Sequence, residues 1–309
     1  MNLNELNPLL SNKLIAHKKN FNFLVNLKKN KFPKALLLTG PSGLGKLTFV
    51  NHFLNYLHKR SNYNIQNMEI NCDSLFYKNV NLKSQENIFY LNLEENEPLK
   101  IDQIRNLRLE ITKSLINEKE RFIIIDRVET LNHNCLNAIL KIIEEPSDIN
   151  NFILINNKTK TLLETIRSRC FEIKVTISEA ERLDVINYLK EKYKIEDNFN
   201  LFESYLTPGN YISYYNIIKE NDLFDKNYLF FIEYLIKLYK KNGRSKYIEL
   251  IKLKTDLHFS NLILENKKNI DTFLKLKDSI SLIINDFLKY NLNAQSVVNS
   301  ISRKFNNGK

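Results

Sequence analysis

Apolar residues in this chain change their spacing near Val175, from short continuous runs set between helical stretches to helix-period patterns alone. Before that point ALLLT is a short apolar run, followed by the Gly-rich turn GPSGLGK and then by apolar residues at Leu47, Val50, Phe53, Leu54 and Leu57. Steps of three and four residues place those side chains on one helix face, so the unit reads strand, loop, helix. RFIIID repeats the theme, with LNHNCLNAILKIIEE behind it as an amphipathic helix stopped at Pro146. NFILIN is a third buried run starting at Asn151, and NIFYLNL with a helix from Ile101 to about Leu115 supplies one more strand and helix. Apolar strands alternating with helices predict a parallel sheet covered on both faces. The interval SNYNIQNMEINCDSLFYKNVNLKSQ is polar and poorly periodic, and reads as an insertion or surface excursion. After Val175, SEAERLDVINYLKEKY opens with Ser178 and Glu181 in a capping-box arrangement, and Gly209 behind Pro208 reads as a turn. Phe273, Leu276, Ile280, Ile283 and Phe287 keep helix spacing to the end, which predicts a separate helical bundle. The expected domains are an α/β domain over 1–175, a small helical lid over 176–221 and an all-α domain over 222–309.

At 309 residues and 43% hydrophobic content the chain is long enough for two or three domains with their own cores. No run of eighteen apolar residues lacks Lys, Asn, Asp or Glu, and MNLNELNPLLSNK lacks a signal pattern, so the expectation is cytoplasmic, without membrane contact. Cys72, Cys135 and Cys170 form no C-x-x-C pair, which predicts reduced thiols and no structural metal. The net charge of +11 suits a nucleic-acid partner, because Lys and Arg displace counterions from phosphate backbones. An AT-rich coding bias gives the same charge, since 36 of the 46 basic residues are Lys and Asn and Ile are abundant. In the amino-terminal arm Lys13, Lys18, Lys19, Lys28, Lys29, Lys31 and Lys34 face one acid, Glu5. DNA contact and a solvated helix face both fit that arm.

Three of the six glycines, Gly40, Gly43 and Gly45, fall directly after the first apolar strand. Gly40 to Lys46 fits G-x-x-x-x-G-K, in which backbone N–H groups surround phosphate oxygens, Lys46 reaches the terminal phosphates and a helix start adds its dipole. The next residue should carry a hydroxyl for magnesium. Here it is Leu47, and Thr48 lies about 100° further round the helix. Asp126 ends Ile123-Ile124-Ile125 as a carboxylate that would hold magnesium through water, or in the plainer reading caps the next turn. The expectation is a degenerate site for ATP or ADP with magnesium, with weak or absent hydrolysis.

FILINNKTKTLLETIRSRCFEI holds a buried strand, a polar tip at Asn156-Asn157, and Ile166-Arg167-Ser168-Arg169-Cys170 ahead of another apolar strand. KIDQIRNL (100–107), LNAILKIIEEP (136–146) and TIRSRC (165–170) together resemble the clamp-loader branch of AAA+ ATPases, and within it the delta prime family of bacterial DNA polymerase III. The resemblance covers roughly residues 14–220. It implies an AAA+ P-loop domain with a parallel sheet, a helical lid and an all-α collar domain. It also implies a ring that opens a sliding clamp and places it on primed DNA, with motor and clamp-opening subunits as partners. Arg169, beside Ser168, would then be an arginine finger reaching the γ-phosphate of ATP on a neighbour, and Asn157 matches a polar sensor position. Active members carry Glu after the strand-ending Asp, where this chain has Arg127, with Glu129 two positions further on. Many relatives hold zinc with four cysteines in an interval where this chain has only Cys72, so no zinc is expected. The lid arginine of active members has no counterpart between Leu206 and Tyr211. The alternative is an active AAA+ ATPase, motor-type or remodelling, working with Lys46, Asp126 and Glu129.

Overall fold

In the computed structural model residues 7–81, 87–93, 99–113, 120–144, 147–195, 206–265 and 269–307 are described, and the chain divides into two compact units, residues 1–213 and 214–309. The first unit runs α1 (Lys18–Asn30), β1 (Ala35–Thr39), α2 (Lys46–His58), β2 (Tyr63–Asn64), β3 (Glu69–Ile70), α3 (Leu75–Asn81) and β4 (Ile88–Leu91). It continues with α4 (Ile101–Thr112), β5 (Arg121–Ile125), α5 (His133–Glu144), β6 (Asn150–Asn156), α6 (Glu164–Arg167), β7 (Phe171–Lys174) and α7 (Glu179–Tyr193). Helix α8 (Pro208–Glu220) leads into the second unit.

Five strands form one parallel sheet in the order β4-β5-β6-β1-β7. Successive side chains leave a strand on opposite faces, and the buried residues sort accordingly. Leu36, Leu38, Ile124, Ile153 and Ile155 join Phe49, Val50 and Phe53 of α2 and Phe21 and Leu24 of α1 in one core. Ala35, Leu37, Ile123, Ile125, Phe152 and Leu154 join Ile104, Leu107, Leu136 and Ile139 of α4 and α5 in the other. The three central strands therefore carry unbroken apolar runs because both their faces are covered, whereas the edge strand β7 keeps Glu172 and Lys174. Parallel order puts all the strand C-terminal ends on one edge, where β1, β5 and β6 deliver the phosphate loop, Asp126 and Asn157.

Two sequence expectations are corrected. The polar interval after α2 is anchored rather than loose: β2 and β3 pair antiparallel, and Tyr63, Met68, Ile70, Phe76 and Tyr77 are buried in the first core. Those apolar residues are too widely spaced to register as a period. Gly209 is no interhelical turn but lies in the first turn of α8. Pro208 tolerates a helix start because the N–H it lacks would have no intrahelical partner there. The expected stop at Pro146 lies outside the described residues, and α4 ends at Thr112, where Lys113 turns extended, rather than near Leu115.

In the second unit α9 (Tyr228–Asn242), α10 (Ser245–Glu265), α11 (Ile270–Tyr290) and α12 (Ala294–Asn307) form a bundle in which α12 returns to α9. Phe231, Leu235, Ile251, Phe259, Ile280, Ile284, Phe287 and Ile301 are buried there. No described helix is long and apolar enough to cross a membrane.

His52, fully buried on α2, gives the fold a pH dependence. A carbonyl oxygen only accepts, so Nε2 donates to Ser11 O at 3.0 Å and Nδ1 accepts from the Tyr63 hydroxyl at 3.0 Å. Burial pushes the imidazole from 6.5 down to about 4. An unfolded chain takes up a proton below 6.5 that the folded chain refuses until about 4. Stability is therefore expected to fall as pH drops through that window, by roughly 3 kcal/mol from this residue. Urea midpoints across the window check this, and His52→Gln is expected to flatten the slope.

Candidate functional site

Gly43 and Gly45 sit at φ 80° and 76°, the left-handed region in which a β-carbon is strained, and Gly45 leads directly into α2. Lys46, 3% exposed, donates to the carbonyls of Gly40 at 2.8 Å and Pro41 at 2.7 Å. Burial lowers its ammonium to about 8, with Asp126 and Glu129 pulling the other way. Leu47 is buried in the core beneath the loop, while Thr48 is half-buried at the pocket wall. His17 of the amino-terminal arm meets the loop through Nε2 at 2.6 Å from Leu44 O.

The acid side is closed on itself. Asp126 Oδ1 accepts from the Arg127 backbone N–H at 2.9 Å and from Asn157 Nδ2 at 3.3 Å, and Arg127 Nε lies 4.0 Å from Asp126 Oδ2. Burial holds the Asp126 carboxyl above the usual range against the pull of Arg127 and Lys46. Arg127 adopts φ 49° and donates through Nη2 to Asn92 O at 2.7 Å, and Asn92 Nδ2 returns a bond to Asp126 O at 2.8 Å. Glu129 turns away: it is 6% exposed, accepts from the Thr159 hydroxyl at 2.8 Å and is absent from the pocket wall. Only the alternative reading of an active ATPase used Glu129, and the 3-10 turn Val128–Thr130 buries it against Thr159 instead.

Between the loop, the amino-terminal arm, α7 and the start of α8 lies a cavity of about 400 Å³ whose wall includes Ile15, Ile177, Val185, Tyr188 and Ile212 as well as the loop, Asp126, Arg127 and Asn157. That apolar side suits a purine base, and the loop suits phosphates. Magnesium fits poorly: Leu47 has no donor atom, and the one wall carboxylate among the described residues is already bonded to Arg127 and Asn157. Among the described residues no group of three or more His, Cys, Asp or Glu is placed to hold a metal. The start of α8 also touches the loop itself. Thr207 Oγ1 donates to Ser42 O at 2.7 Å and Gly209 N to Gly43 O at 2.8 Å.

Arg169 belongs to the opposite sheet edge. Leu36 pairs with Phe171 and Thr39 with Lys174, so β7 starts where β1 starts. Arg169 precedes that start, while the loop leaves the far end of β1, roughly 13 Å away at strand rise. Its Nε meets Glu144 of α5 at 2.6 Å and its Nη1 donates to Thr165 O at 2.9 Å. The side chain is 40% exposed. Cys170 faces inward, packed on the second core, and burial pushes its thiol up to about 12. Ser168 Oγ, exposed, bonds Thr165 O at 3.2 Å. The structure thus gathers Gly43, Gly45, Lys46, Leu47, Thr48, Asp126 and Asn157 around one pocket, keeps Gly40 behind the wall as a partner of Lys46, and leaves Arg169 and Ser168 apart from it.

Sequence reasoning missed His17, Asn92, Thr207 and Glu144, whose partners are distant in the chain. Among the amino-terminal lysines, Lys13 pairs with Glu69 at 3.5 Å, Lys34 with Asp148 at 3.9 Å, and Lys28 with Glu120. Carboxylates there already answer part of the basic field proposed for DNA.

Residues 16–178 match the family model described as DNA polymerase III, delta subunit. A DNA polymerase III subunit delta' of Buchnera aphidicola subsp. Schizaphis graminum is 31% identical over 224 residues, 69% of this chain and 62% of the relative. A DNA polymerase III subunit gamma of the same organism is 28% identical over 168 residues, 53% of this chain and 43% of the relative. A subunit delta' of Pseudomonas aeruginosa is 31% identical over 140 residues, 45% of this chain and 42% of the relative. The chain spans less than two thirds of the length of each.

Proposed function

We propose, on the premise that this chain belongs to the DNA polymerase III, delta subunit family, that it is a clamp-loader subunit completing a ring and lending Arg169 to a neighbour's ATP. The carrying observation is the division between the two sheet edges. One edge bears a phosphate loop with Leu47 at the metal position and Arg127 in the place of a water-orienting acid. The other bears a half-exposed arginine too far from that loop to serve it. A planar guanidinium stabilises charge on a transferring phosphoryl group only from close range. Residues 176–221 act as a lid on the pocket, and residues 222–309 join the helical domains of partner subunits in a collar. The partners are motor and clamp-opening subunits and, through the assembly, a sliding clamp and primed DNA.

Lys46 favours the rival reading of an active ATPase, and the purified chain decides between them. With ATP and magnesium the expected turnover is at background. A turnover of about one per second, a low but ordinary enzymatic rate, abolished by Lys46→Ala, sinks the proposal.

A further inference from the structure

The pocket wall has an unusual balance of charge for a magnesium-nucleotide site. Among the described residues its cations are Lys13, Lys46, Arg127 and Lys192, and its one carboxylate is Asp126. Lys13 is answered by Glu69 at 3.5 Å, which leaves three cations facing one acid. A site that recruits a divalent cation needs oxygen ligands to hold it. This one offers a leucine where a hydroxyl belongs, and a carboxylate whose Oδ1 takes the Arg127 N–H and the Asn157 amide.

Arg127 is built into position. Its left-handed backbone at φ 49° is a strained choice for a residue with a β-carbon, and the surrounding bonds maintain it. Nε and Nη2 are fixed on Asn92 O at 3.3 and 2.7 Å, while Nη1 has no bond to a described residue. The guanidinium therefore stands beside Asp126, with Nε 4.0 Å from Oδ2, and keeps one nitrogen without a bond to a described residue in a side chain that lines the pocket. On the opposite side Lys46 is held only by loop carbonyls, which a phosphate can replace as partner.

Resting on the reading of this cavity as a nucleotide pocket, we infer that it binds a nucleoside di- or triphosphate without a divalent cation, Arg127 and Lys46 supplying the positive charge. The base lies against Ile15, Ile177, Val185 and Tyr188, and the phosphates against the loop. Bound nucleotide is then a structural ligand between loop and lid rather than a substrate. This accounts for a phosphate loop with its three glycines and lysine intact beside a metal site that is not.

The test is titration of the whole purified chain with fluorescently labelled ADP, in magnesium and again in EDTA. Equal affinity within about twofold is expected, with Arg127→Gln weakening binding about tenfold or more in both buffers. Arg127→Lys, which keeps the charge, covers the case in which the glutamine variant does not fold, and should bind close to the unaltered chain, whereas a folded lysine variant weakened about tenfold or more overturns Arg127 as a source of positive charge. Tightening of tenfold or more by magnesium overturns the inference and leaves the nucleotide pocket standing. Unchanged binding by a folded Arg127→Gln variant overturns the role of Arg127. No binding in either buffer removes both the inference and the nucleotide pocket, but not the action of Arg169 on a neighbour.

Discussion

Replacing Arg169 by alanine is expected to lower ATP hydrolysis by the assembled complex by roughly a thousandfold while leaving the complex assembled. The magnitude is that of an arginine finger supplied across a boundary, 10³ or more in rate. Assembly should survive because the side chain does little for this fold. Its ion pair with Glu144 is exposed at 40% and 45%, a setting in which such pairs contribute at most about 1 kcal/mol. Cys170 and Ile166, which do pack in the core, keep the loop in place. Arg169→Lys is expected to fall nearly as far, since an ammonium lacks the planar fork that spans two phosphoryl oxygens. Phosphate release stimulated by primed DNA measures the rate, and size-exclusion chromatography of the same samples measures assembly. An unchanged rate in intact complexes removes the finger.

Among substitutions, the largest effect on folding at neutral pH is expected from Gly43→Ala. A β-carbon there comes within 2.3 Å of Thr207 Oγ1 and 2.7 Å of Asn210 N, and φ is 80°. The left-handed backbone alone costs an alanine about 1 kcal/mol or more. Loss of the Thr207–Ser42 hydrogen bond adds about 1, and Asn210 N is backbone that must shift. A fall of roughly 2 to 3 kcal/mol follows, with faster amide exchange at Gly209, whose N–H now binds Gly43 O. Gly45→Ala is the control. Its φ is 76° but nothing lies within 4 Å of its β-carbon, so only the backbone cost applies. Equal urea midpoints for the two variants would show that the start of α8 does not grip the loop.

Much of this was legible in the sequence, for physical reasons that also explain the gaps. Buried parallel strands announce themselves as unbroken apolar runs, and β1, β5 and β6 fell where ALLLT, RFIIID and NFILIN stood. The capping box at Ser178 and Glu181 is present, because it depends on residues three apart. The phosphate loop, Asp126 and Asn157 converge because parallel strands put their ends on one edge. The small sheet of β2 and β3 was not legible, since two-residue strands carry no period. Gly209 read as a turn because proline and glycine together usually break helices, whereas here the missing β-carbon serves a contact with Gly43, whose Cα would lie 2.8 Å from it. Glu129, two residues past Arg127, showed only that a carboxylate was near. Its direction is set by a turn that spacing does not encode. Glu144 and Arg169 are 25 positions apart, and only the fold makes them neighbours.

The claim that this chain's arginine acts on a neighbour's nucleotide is tested most directly by mixing. Loader complexes are assembled from partner subunits with unaltered and Arg169→Ala chain in varying proportion, at constant total chain, and ATP hydrolysis is measured in each mixture. Action across the boundary predicts a rate that falls steadily with the altered fraction, to about a thousandth at full replacement, while the amount of complex stays constant. A rate independent of that fraction, in complexes shown to contain the altered chain, contradicts it.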